Sequence, residues 1–291
     1  MSHRILVTGA TGETGRYTTE LLIKKGFSVR ALVHKVDERS EKLRAIGAEI
    51  VTGDLLDFNA VREALKGANR AYFVYPIRPG LINATAYFAQ AAKEAGLAIV
   101  VNMSQISARE NSKSHAAQDH WIAERVFDWS GVPVTHIRPT FFAQWLTYPH
   151  NRKHILERGV ISQPLGTGRH APIAAEDQAR FIAAILADPG EHNGKTYPLF
   201  GPVEMDQAGI AAAVGEVIGR PVAYEPITIE AYRQRLEAGG VMPAFLIQHL
   251  CAVAQDYQDG IFAGSDDVIG RVTGKPPMTV QEFVASHVDL F

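Results

Sequence analysis

The chain has 291 residues with 29 Lys and Arg against 31 Asp and Glu, a formal net charge of −2. That balance weakens a nucleic-acid reading, which wants a concentrated positive field, and 46% hydrophobic against 21% charged residues argues against disorder. The single cysteine, Cys251, excludes an internal disulfide and every multi-cysteine metal site. No apolar stretch approaches the roughly 20 residues of a membrane span. Met1-Ser2-His3-Arg4 enters an apolar run of only three residues, so neither a membrane partner nor a secretion signal is expected, and the expected location is the cytoplasm.

In chain order, Ile5-Leu6-Val7 reads as a strand that stops at Thr8-Gly9. Residues 13–25 read as a helix with Leu21, Leu22 and Ile23 on its apolar face and Gly26 closing it. A strand over 27–33, a short helix over 41–46 and a strand over 49–51 follow. A helix over 61–65 and a strand over 71–74 come next, then a helix over 81–95 ending at Gly96. A fully apolar strand covers 98–101, a helix covers 115–129, and a strand over 132–137 breaks at Pro139. Six strands interleaved with helices that stop on Gly predict an α/β fold, a Rossmann-type doubly wound parallel sheet.

Beyond Pro139 the rhythm loosens. Residues 141–156 read as an aromatic-rich helix, 174–187 as an amphipathic helix and 195–199 as a short strand. Helices are expected over 207–218, 229–238 and 245–257, separated by Gly and Pro. The expected division is a dinucleotide-binding domain over 1–156 and a smaller, mostly helical C-terminal substrate subdomain over 157–291. That subdomain is expected to have no sheet of its own, and its helix over 174–188 is free to pack back on the first domain.

The most informative segment is Thr8-Gly9-Ala10-Thr11-Gly12-Glu13-Thr14-Gly15. It follows a strand and opens a helix, the context a dinucleotide fingerprint requires. Gly9 would turn the strand sharply, Gly12 would admit a pyrophosphate close to the backbone, and Gly15 would let the helix pack near the sheet. Helix-start N–H groups and the helix dipole would then face the phosphates. A Gly-rich turn without a ligand shares the pattern; its place in the first strand–helix unit favours the nucleotide. At the end of the second strand an acid would hold a ribose 2′-hydroxyl. Here the sequence reads Leu32-Val33-His34-Lys35, with Arg39 shortly after, and these basic groups favour NADP(H) over NAD(H).

Ile5 through Gly12, then Ala31-Leu32-Val33-His34, Gly53-Asp54-Leu55, the segment from Gly131 to Phe142 and the helix around Glu176-Asp177 resemble the NmrA-like family of atypical short-chain dehydrogenase/reductases. Within it the chain is similar to bacterial NAD(P)H reductases of azo compounds, quinones and triphenylmethane dyes. The resemblance implies that Gly9, Thr11, Gly12, Glu13 and Thr14 form the phosphate turn. It sets His34 where such proteins often place an Arg against the 2′-phosphate, and Asp54 and Leu55 beside adenine. Tyr75 and Pro76 would run along the cofactor and Ser104 would lie near the nicotinamide, which Pro139, Thr140, Phe141 and Phe142 would flank. Neither a metal nor a flavin is expected.

Ordinary short-chain dehydrogenases place Tyr and Lys four residues apart on one helix face, where the ammonium lowers the phenol pKa. None of the nine tyrosines here has Lys four residues on; Tyr148 comes nearest, with Arg152. On the helix where the pair belongs, Ala116 stands for the Tyr and His120 for the Lys. Hydride transfer to a conjugated small-molecule acceptor remains open because water can supply the proton. A non-catalytic NADP(H) redox sensor acting through a protein partner also remains open. His120 could hold the nicotinamide ribose, and Ser104 and His115 are further proton-donor candidates. Phe141, Phe142, Trp145 and Tyr148, at helical spacing, would form the wall of a flat aromatic substrate site or simply core. His150 and His154 have ligand spacing, but beyond Glu157 no third metal ligand is evident.

Overall fold

A computed structural model describes residues 4–291; Met1–His3, read above as carrying no secretion signal, lie outside the described residues. The first half alternates strand and helix: β1 (Arg4–Val7), α1 (Glu13–Lys24), β2 (Ser28–Val33), α2 (Glu38–Ala45), β3 (Glu49–Thr52), α3 (Phe58–Leu65), β4 (Arg70–Phe73), α4 (Leu81–Ala95), β5 (Ile99–Met103), α5 (His115–Ser130) and β6 (Val134–Pro139). The second half holds α6 (Pro149–Arg158), β7 (Val160–Gln163), α7 (Ala175–Ala187), β8 (Thr196–Leu199), α8 (Gln207–Ile218) and β9 (Ala223–Pro226). It closes with α9 (Ile229–Ala238), α10 (Ala244–Gln258), α11 (Val268–Thr273) and α12 (Val280–Ser286).

Side-chain alternation along the strands builds two apolar layers. Ile5 and Val7 join one core cluster with Leu22 of α1 and Phe181 of α7. Leu6 joins the opposite cluster with Val61 of α3, Phe88 of α4 and Phe127 of α5. β5 divides in the same way, with Ile99, Val101 and Met103 on one side and Val100 on the other. The result is a parallel seven-stranded sheet in the order β3-β2-β1-β4-β5-β6-β8. Because β1 pairs with both β2 and β4, the strand order reverses there. A crevice therefore opens beyond the carboxyl ends of these strands, where such sheets take ligands.

Two expectations change. The second half carries a sheet: β7 and β9 pair in parallel, and β8 joins the main sheet beside β6. Residues 141–156 are not one helix. Phe142 is extended and bridges Ile173, a short 3₁₀ helix spans Ala143–Thr147, and Tyr148 is extended again (φ −62°, ψ 140°) before Pro149 opens α6. Proline disfavours a helical residue before it while suiting the first helical position itself. The aromatic residues therefore do not form a stripe on one helix. No helix among the described residues is long and apolar enough to cross a membrane.

Candidate cofactor cleft and acceptor cavity

The glycine-rich turn is tied to the neighbouring strand end by Thr8, whose hydroxyl donates to Val74 O (3.1 Å) and accepts from Val74 N (2.8 Å). Gly9 takes φ +56°, and a Cβ there would come within 2.5 Å of Val74 Cγ1. At Gly15 a Cβ would overlap the Gly9 carbonyl, which is backbone and cannot swing aside. Gly12 precedes α1 and offers no side-chain cap. The first N–H groups of that helix, at Glu13, Thr14 and Gly15, have no carbonyl one turn back to bond. That set of open donors at the positive end of the helix dipole fits a pyrophosphate. The Glu13 carboxylate is drawn to Arg16 at 2.9 Å.

From the turn a hollow of about 260 Å³ runs along Thr11, Val33, His34, Asp54 and Leu55 to Val74, Tyr75 and Pro76. His34 Nδ1 lies 3.9 Å from Asp54 Oδ2, and both side chains are exposed. Lys35 and Arg39 lie outside this lining. Lys35 is exposed, and Arg39 is held at 2.6 Å by Asp37, the N-cap of α2. The strand end therefore mixes basic and acidic groups rather than presenting a purely cationic patch.

Val74, Tyr75 and Pro76 also line a second cavity of about 320 Å³. Around it the fold gathers Ser104, His120, Pro139, Thr140, Phe141, Phe142, Trp145 and Tyr148. His115 is not there. It occupies the first position of α5 and is exposed, outside the residues that line the cavity. The cavity also takes Gln105, His249, Val253 and Phe262, which sequence reasoning missed. Its lining contains no Asp, Glu, Lys or Arg. Phe141 meets Trp145 and Tyr257 edge-on at 5.9 and 5.4 Å, and Tyr257 stacks on Phe262 at 3.9 Å.

Two imidazoles distinguish the polar part of the wall. His120 is buried, and desolvation aided by neighbouring His249 pushes its pKa down to about 3. Burial pushes His249 down to about 4, so both rings are neutral near pH 7. Ser114 Oγ lies 2.7 Å from His249 Nδ1. Four enclosed polar atoms without a protein partner belong to lining residues: Ser104 Oγ, Gln105 Nε2, His120 Nδ1 and Trp145 Nε1. Among the described residues no group of three or more His, Cys, Asp or Glu is placed to hold a metal ion.

The NmrA-like family profile matches residues 1–284. The chain belongs to the NmrA-like family. Among the relatives of this NmrA-like chain is the NAD(P)H azoreductase of Xenophilus azovorans, 33% identical over 293 residues and covering 99% of each chain. The structure of the NADPH-dependent quinone oxidoreductase of Escherichia coli complexed with NADPH matches with a TM-score of 0.85 at 25% identity, covering 98% of this chain and 99% of that one. The Citrobacter sp. triphenylmethane reductase complexed with NADP(H) gives a TM-score of 0.85 at 24% identity, over 97% of this chain and 99% of that one, which shows a shared fold.

Proposed function

We propose that this chain is an NADPH-dependent reductase that transfers hydride to a neutral or weakly charged conjugated acceptor of quinone, azo or dye type. One observation carries the reading: an aromatic cavity without a charged side chain adjoins the dinucleotide hollow, sharing Val74, Tyr75 and Pro76 with it. The azoreductase and quinone oxidoreductase relatives support it. In this reading the N–H groups at Glu13, Thr14 and Gly15 hold the pyrophosphate. His34, Asp54 and Leu55 take the adenosine end, while Ser104, His120 and the segment from Pro139 to Phe142 bracket the nicotinamide end. The bound dinucleotide supplies the hydride. The residues of this chain orient the acceptor and keep water off its reacting face.

Positioning does most of the work in such a transfer, so the absence of a Tyr–Lys pair is compatible with turnover. A sugar nucleotide suits the site poorly, because nothing in the cavity lining carries the charge or the phenol–ammonium pair that chemistry needs. The test is a titration of the purified protein with NADPH and with NADH, followed by a panel of quinones, azo compounds and triphenylmethane dyes. Consumption of NADPH with at least one acceptor, faster than with NADH, is expected. Tight NADPH binding with no turnover on the whole panel would overturn the enzyme reading in favour of an NADP(H) sensor.

A further inference from the structure

We infer that His249 is a catalytic hydrogen-bond donor, its Nε2–H stabilising the negative charge that gathers on the acceptor's heteroatom as hydride arrives. The inference rests on the reductase reading. His249 comes from α10, far along the chain, yet α10 packs on α5 and brings the ring into the same cavity wall as His120.

The ring is held by Ser114, and its helix is held by two further contacts. Ser114 is the N-cap of α5, and its hydroxyl oxygen accepts the Ala117 N–H at 3.1 Å. The hydroxyl keeps its own proton, and in the tautomer assigned to this site it donates that proton to His249 Nδ1 at 2.7 Å, with the ring proton on Nε2. Gln248 donates to Lys113 O at 2.7 Å and accepts from His115 N at 3.1 Å. Two turns further on, buried Asp256 takes a bidentate grip from Arg109 at 2.8 and 2.5 Å. α10 is thereby fastened to the segment that follows β5, along one face.

Other polar groups on the wall are less suited to the task. The Tyr75 hydroxyl donates to Pro79 O and the Thr140 hydroxyl to Ala171 O. Ser104 Oγ, Gln105 Nε2, His120 Nδ1 and Trp145 Nε1 are sealed from the open space; His120 Nε2 lies outside that sealed set, but no hydrogen bond at Nδ1 fixes the His120 ring, whereas Ser114 holds that of His249. His249 Nε2 has no protein partner and is absent from that sealed set. Tyr148 is half exposed and follows a 3₁₀ turn, so its phenol is not held in advance. A fixed, desolvated donor stabilises developing charge far better than a mobile one.

The step balances. Hydride carries two electrons from the bound dihydronicotinamide to the acceptor, and one acceptor π bond opens. The displaced electron pair collects on the heteroatom, which accepts the Nε2–H bond and takes its proton from water. His249 remains neutral throughout.

The test compares wild type, His249→Phe, His249→Gln and Tyr148→Phe on any acceptor that wild type reduces. Removing one such donor costs about 10²-fold or more in kcat. His249→Phe is expected to lose that much with NADPH Kd unchanged. His249→Gln, which restores an N–H near Nε2, is expected to recover at least tenfold of the loss, and Tyr148→Phe to lose less than His249→Phe. Wild-type kcat in His249→Phe, no recovery in a folded His249→Gln, or a larger loss in Tyr148→Phe each overturns the assignment while leaving the reductase reading intact. Failure of wild type on every acceptor overturns both.

Discussion

Mild acid is expected to weaken this fold steeply, because three imidazoles are buried uncharged. His120 and His170 are each pushed down to about 3 and His249 to about 4, in every case chiefly by desolvation. His170 is the most isolated of the three. Both its nitrogens are enclosed without a partner, and its ring sits edge-on to Tyr257 at 4.8 Å and Phe141 at 6.5 Å. In the unfolded chain the same groups titrate near about 6.5. Above that pH neither state binds the proton and stability is complete. As pH falls below it, the unfolded chain takes up protons that the folded chain refuses, and stability is lost down to the folded values. Each histidine then costs more than about 1 kcal/mol between about pH 7 and pH 5.5, and the three together cost about 4 kcal/mol. At about 2 to 4 °C per kcal/mol for a chain of this size, Tm should drop by about 10 °C. Calorimetry or circular-dichroism melts across this pH range read the drop directly. His170→Phe, which removes one of the three groups, should shrink it by about a third. A Tm flat across the range, or an undiminished drop in His170→Phe, would refute the reasoning.

Three further outcomes follow from the site. Gly15→Ala gains about 1 kcal/mol of helix propensity, but its methyl group meets the Gly9 carbonyl and forces α1 off the turn. NADPH affinity measured by fluorescence titration should fall at least tenfold, and an unchanged Kd would count against the phosphate cradle. Arg109→Ala leaves the buried Asp256 carboxylate unpaired; Arg109 itself is partly exposed, so the lower end of the usual range applies, a loss of about 3 kcal/mol in denaturant unfolding. In surviving folded protein, acceptor KM should rise while NADPH Kd holds, and a rise in both would contradict a role confined to α10. His34→Arg puts a planar guanidinium beside the adenosine end, opposed in part by Asp54. The ratio of kcat/KM for NADPH over NADH should increase about tenfold, and a fall would place the 2′-phosphate elsewhere.

The first half was readable from sequence because its signals are local. Glycines stop the helices, and β1 through β6 carry apolar runs that a parallel sheet buries on both faces. Two boundaries had signals that went unused: Asp37 caps α2 and starts it at Glu38, and Thr279 with Glu282 forms a capping box that opens α12. The break at Tyr148-Pro149 was also written in the chain. β7 and β9 are four residues each and partly exposed, so neither shows the apolar run that announces a buried strand. The phosphate turn could be located by spacing alone, whereas the part of the cavity wall that α10 supplies could not. His249 and Val253 sit on an apolar helix where a histidine looks like any core residue, and only tertiary packing brings them to His120.

The placement of β8 and α7 bears on how far the two halves can act as separate bodies. β8 hydrogen-bonds to β6, and α7 lies against α1, with Phe181 and Leu186 in the core that contains Leu22. A fragment ending near residue 156 would leave β6 as a bare edge and remove α7 from a face of the sheet that α1 and α2 cover only in part. The second half is laced through the first by these two elements. α10, by contrast, lines the acceptor cavity through His249 and Val253 and contributes nothing to the hollow beside the glycine-rich turn, so a cut in the chain there would disturb the cavity before the turn.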